Sequence, residues 1–243
     1  MINDKNGQIA TTLESEGSNL LLPETRSVNE SVSRVIDQTK QPKTLKDYLS
    51  ELESSKGSLD NIKKLRQIQL VIMMVGEKIE FKEEDVGLIT LPGNQVGEAY
   101  ESEGKVVIDP VILNKDDLSL FKHALLHELT HLTVANEGLT ELRTMALTGD
   151  EASDYDNLVS NVSQVTSILS GDQKSGILRA VELYSNEQYD QLFSEFENAY
   201  NKKNPDIYAK NPDAAFNIFQ LAFPELKVTQ GGKLDIGIEQ LSD

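Results

Sequence analysis

Apolar residues first fall into a steady helical rhythm at Thr44. There TLKDYLSELESS sets Leu45, Tyr48, Leu49 and Leu52 on one face behind a threonine that can cap the helix. A second helix is predicted from Ser58 through Ile62, Leu65 and Ile68 to about residue 74. The rhythm then changes to short runs, KIEF, VGLITL, VGEAYES and KVVIDP, parted by KEED, PGNQ and EG. These read as short strands of an antiparallel meander. Helical spacing returns over residues 118–132 and recurs at 138–147, 155–169, 175–184, 187–200 and 213–223. The last twenty residues, with GGK and alternating Leu and Ile, read as a short strand or an ordered tail.

Helices, then a small sheet, then helices argue for an α+β fold. In that fold a small antiparallel sheet packs on the helix at 118–132, and a mostly helical C-terminal subdomain follows. One domain is expected over residues 44–243, divided at 147/148. Residues 1–43 are rich in Ser, Thr, Asn and Gln and hold no lasting period, so they are expected to be flexible. The alternative is an arm that packs through Leu20, Leu21 and Leu22.

Composition narrows the functions. The 243 residues carry 23 Lys and Arg against 40 Asp and Glu, a net charge of −17. Nucleic-acid phosphates and anionic lipid surfaces both select for cationic clusters, which this chain lacks, so neither partner is expected. The absence of cysteine excludes disulfides, thiolate metal sites and cysteine nucleophiles. The apolar run at 70–76 is far short of the roughly 20 residues of a membrane span. The first residues show neither a basic nor an apolar leader region. A classical signal peptide is therefore not expected, leaving the cytoplasm or a specialised export route.

All three histidines, His123, His127 and His131, lie in FKHALLHELTHLTV. The segment His127-Glu128-Leu129-Thr130-His131 is an H-E-x-x-H motif. Residues four apart sit one turn apart on the same helix face, so two imidazoles can share one metal ion. Glu128 stands beside that face, placed to take a proton from an attacking water. Leu118, Phe121, Leu125, Leu129 and Leu132 cluster on the far side of the helix, roughly 180° from His127 at about 100° per residue. His123 continues the stripe by one turn, but drift of about 40° per four residues suits a third ligand poorly. An orienting or surface role is expected for it.

With no histidine left, the third ligand should be a carboxylate. Asn136-Glu137-Gly138-Leu139-Thr140-Glu141 follows shortly, and Glu137 and Glu141 are rivals. For Glu137 to reach the metal the helix must end near residues 133–135 and turn back. Glu141 would then orient a histidine by a hydrogen bond.

HELTH followed by NEGLTE resembles the zinc metallopeptidases of the gluzincin type, in which a Glu in an N-E-G segment of the next helix completes the site. Strands running straight into the H-E-x-x-H helix resemble the minimal zincin core. The resemblance covers residues 86–147, and LYSNEQYDQLFSEFENAY downstream is similar to small bacterial H-E-x-x-H proteins. It implies that His127, His131 and Glu137 hold Zn2+ and that Glu128 is the general base. The five-residue spacer between His131 and Glu137 is shorter than in gluzincins. It matches metzincins, whose motif has Gly where this chain has Val134.

The expected activity is zinc-dependent peptide hydrolysis, with a protein or peptide as substrate. His123 and Tyr155 are the candidate oxyanion donors. A strand edge at 105–109 is the candidate peptide dock. Acidic residues at 83–85, 116–117 and 150–156 would favour a basic substrate if they flank the cleft; otherwise they only solubilise. The alternatives are a non-catalytic binding protein on a zincin scaffold and an exported protease effector.

Overall fold

A computed structural model describes residues 43–55, 58–149 and 156–226. The segment before residue 43, the tail beyond 226 and Tyr155 lie outside the described residues.

Thr44 caps the first helix, α1 (Leu45–Ser54), in a capping box with Asp47, and the Ser58 hydroxyl accepts from Asn61 at the start of α2 (Leu59–Gly76). Both starts match the sequence expectation. The sheet does not. Its strands are β1 (Lys43–Thr44), β2 (Val86–Leu88), β3 (Gly97–Tyr100) and β4 (Lys105–Ile108), in the order β1-β2-β4-β3. β1 runs antiparallel to β2 and β3 antiparallel to β4, but β2 and β4 are parallel, so the sheet is mixed rather than an antiparallel meander.

Side-chain character explains the order. Val106, Val107 and Ile108 are all buried and suit a strand paired on both sides, whereas Glu98 and Tyr100 fit a half-wet edge. The 105–109 segment is therefore interior, and the edges of the sheet are β1 and β3. KIEF forms no strand: Ile79 and Phe81 pack against the core beside a 3-10 turn at Glu83–Asp85, and β1 takes the place beside β2.

The remaining helices are α3 (Ser119–His131), α4 (Glu137–Thr148), α5 (Asp156–Leu169), α6 (Gln173–Ser185), α7 (Tyr189–Lys203), α8 (Pro205–Lys210) and α9 (Ala214–Ala222). The proline-started α8 is one the spacing did not predict. No described helix is long and apolar enough to cross a membrane.

The apolar side chains form two cores. One gathers α1, α2, the sheet and α3 around Leu45, Ile68, Ile108, Phe121 and Leu125. The other gathers α4, α5, α6, α7 and α9 around Leu139, Val165, Leu183, Phe196 and Phe219. Val134, in the link between α3 and α4, already belongs to the second.

Within the helical core, α5 and α6 meet over bare backbone. A Cβ on Gly176 would stand 1.8 Å from the carbonyl oxygen of Thr166, so only glycine fits there. Gly176→Ala must push the two helices apart, and overpacking of this kind costs about 1–3 kcal/mol. A lower urea midpoint at unchanged slope is the expected result; an unchanged midpoint would contradict this packing.

Candidate functional site

Helix α3 carries the histidines, and its amphipathic face does as expected: Phe121, Leu125 and Leu129 enter the first core. The opposite face is mostly covered, however. His127 and Glu128 are only 7% and 9% exposed, because α4 folds back onto His127 and β3 lies against Glu128.

That reversal is built from local polar chemistry. α3 stops at His131, where the backbone amides of Thr133 and Val134 both donate to the Thr130 carbonyl. Val134 then drops into the second core, and Asn136 caps α4 by accepting from the Leu139 amide at 2.8 Å. The Asn136 amide group in turn donates to the Ala222 carbonyl (3.0 Å) and to Glu225 Oε1 (2.9 Å), tying the cap to the end of α9. Glu137, the first residue of α4, is thereby delivered to the two histidines.

The result is a tight triangle of donor atoms. His127 Nε2 and His131 Nε2 are 3.1 Å apart; His127 Nε2 lies 3.1 Å from Glu137 Oε1, and His131 Nε2 lies 3.0 Å from Glu137 Oε2. A small divalent ion held tetrahedrally at about 2.0–2.1 Å keeps its ligand atoms about 3.3–3.4 Å apart, so this donor set fits one with little adjustment. His127, His131 and Glu137 are close enough to hold a metal ion.

The other ring nitrogens are occupied in a way that fixes each imidazole. His131 Nδ1 is 3.0 Å from the Val134 carbonyl, which can only accept. Nδ1 must therefore carry the proton, and the neutral ring turns the Nε2 lone pair to the triangle. His127 Nδ1 meets Glu141 Oε2 at 2.9 Å, and the same oxygen lies 3.2 Å from His123 Nε2. His123, His127 and Glu141 form a second grouping with ligand spacing. It meets His127 through Nδ1, the nitrogen that faces away from His131. Thr140, not singled out from sequence, donates to the Val134 carbonyl at 3.0 Å and steadies the same turn.

The electrostatics follow from this crowding. Burial disfavours the His127 imidazolium, yet its hydrogen bonds to Glu137 and Glu141 outweigh that and raise it to about 9. Burial likewise works against a charged Glu137, but its bonds to His127 and His131 hold it well below the usual carboxylate range. Glu128 has no hydrogen-bond partner among the described residues, and burial pushes it up to about 7 despite the pull of His127 and His131.

These side chains border a cleft of about 770 Å³ whose other wall is β3 and the loop before it. Glu98 and Glu101 line it, whereas the acidic residues at 83–85 and 116–117 do not; the side chains at 150–156 lie outside the described residues. His123 reaches the cleft but already holds Glu141. No family model matches this chain, and no curated protein or solved structure matches it either.

The raised imidazole makes stability depend on pH. A His127 lifted from 6.5 to about 9 stabilises the metal-free fold fully below 6.5 and loses that contribution as pH climbs through 9. The melting temperature of metal-free protein should therefore fall from pH 6.5 to 9. It should fall less steeply in Glu141→Gln, which removes one of the two bonded carboxylates. Equal slopes in the two proteins would refute the Glu141 contribution.

Proposed function

We propose that the protein is a zinc-dependent peptidase in which His127, His131 and Glu137 hold the ion and Glu128 is the general base. One observation carries the reading: a two-nitrogen, one-carboxylate triangle with a largely buried carboxyl beside it that has no hydrogen bond among the described residues. Two imidazoles and one carboxylate suit zinc, and three protein ligands are what hydrolytic zinc sites use, with a further position left for water. Bound zinc supplies Lewis acidity, lowering the pKa of water and polarising a carbonyl.

The chain's own residues do the rest. Glu141 and the Val134 carbonyl hold the two imidazoles in the tautomer that turns Nε2 to the ion. Glu128 accepts a proton from the attacking water and returns it to the leaving amine; a carboxyl poised near neutrality suits both transfers. A purely structural metal site would have no use for such a base.

Peptide is the favoured substrate because the cleft runs along the free edge of β3. Val96 accepts from the Asp109 amide, so by the alternation of an antiparallel ladder the backbone groups of Gly97 and Ala99 turn outward. An extended peptide can add there as a further strand. The Gln95 side chain already donates to the Gly97 carbonyl at 3.0 Å and must yield to it.

Two variants test the reading. Glu128→Gln is expected to keep about one zinc per chain, measured by mass spectrometry, and to lose about 10²–10⁴-fold in peptide hydrolysis. Retained activity would sink the base assignment. Glu137→Ala should weaken zinc binding by more than the roughly 10–100-fold expected of Glu141→Ala. The reverse order would exchange their roles.

A further inference from the structure

Gly97 has no backbone reason to be glycine. Its φ is not positive, and it sits within a strand, where glycine is typically less stable than alanine by roughly 0.5–1 kcal/mol. Space supplies the reason. A Cβ built there would lie 2.6 Å from Glu128 Cγ, 2.7 Å from Oε1 and 2.9 Å from Cδ, so all three nearest atoms belong to one side chain. Real Cβ atoms do not come so close, and the clash involves the stem of Glu128 as well as its tip.

Room for Glu128 to shift lies toward the cleft that it lines, away from its place beside β3. Ala124, Leu125, Leu126, Leu129 and Thr130 around it on α3 are all buried, and among the described residues no donor anchors its carboxyl. Its placement is thus set by packing, and the bare backbone of Gly97 is one wall of the slot.

We propose that Gly97 is a positioning residue for Glu128: by omitting a side chain, the edge strand lets the carboxyl stand between β3 and the histidines. The proposal rests on the peptidase reading for its catalytic consequence, but the contact itself is testable without turnover.

The test uses the full chain as wild type, Gly97→Ala, Glu128→Ala and the double variant. Zinc content, melting temperature and, on a mixture of quenched fluorescent peptides, kcat and KM are measured. Gly97→Ala is expected to retain zinc, to melt lower, and to lose about 10²-fold in kcat with KM little changed, the scale of a misplaced group. On the Glu128→Ala background the same substitution should cost no melting temperature, since the atoms it strikes are gone. If Gly97→Ala alone fails to fold, recovery of folding in the double variant supports the contact. Equal melting losses on both backgrounds, failure of the double variant to recover, or wild-type kcat in Gly97→Ala would each overturn the proposal. A wild-type protein that binds zinc and cleaves no peptide would instead overturn the peptidase reading, and the melting cycle would still decide the contact.

Discussion

Ionisable groups cannot be buried singly at tolerable cost, and the site is arranged around that constraint. Two imidazoles and the Glu137 carboxylate converge within about 3.1 Å, and every outward-facing histidine nitrogen meets an oxygen: Glu141 for His127, the Val134 carbonyl for His131. Helical spacing alone delivers the first two groups. The third requires the chain to reverse within five residues, and that reversal recruits Thr130, Val134, Asn136 and Thr140. Remove the turn and the histidines would face a helix continuing away from them.

Glu128 is the exception in this arrangement. The histidines and Glu137 are bonded to one another, whereas the largely buried Glu128 has no hydrogen bond among the described residues. A paired carboxylate would be stable and inert; this one is costly to keep charged.

Much of this was legible in the sequence because it is local. Thr44 and Ser58 are caps that act within three residues, and the histidine spacing needs only helix geometry. Glu137 and Glu141 take different places: one meets both Nε2 atoms and the other meets Nδ1 of His127. What the sequence hid depends on distant partners. Two residues, Lys43 and Thr44, make a strand only because Leu88 and Gly87 lie opposite, and β4 inserts between β2 and β3 through pairings no periodicity records. Gly97 carried no signal at all, because its meaning is a space 31 positions away from the side chain that fills it.

The two apolar cores give the turn after α3 a further significance. His127 and His131 stand on a helix rooted in the first core, and Glu137 on a helix rooted in the second. Asn136 adds a clasp to the end of α9, and Gly138 brings α4 within bare-backbone distance of Leu158 on α5. A cation held by these three residues would therefore also tie one apolar core to the other.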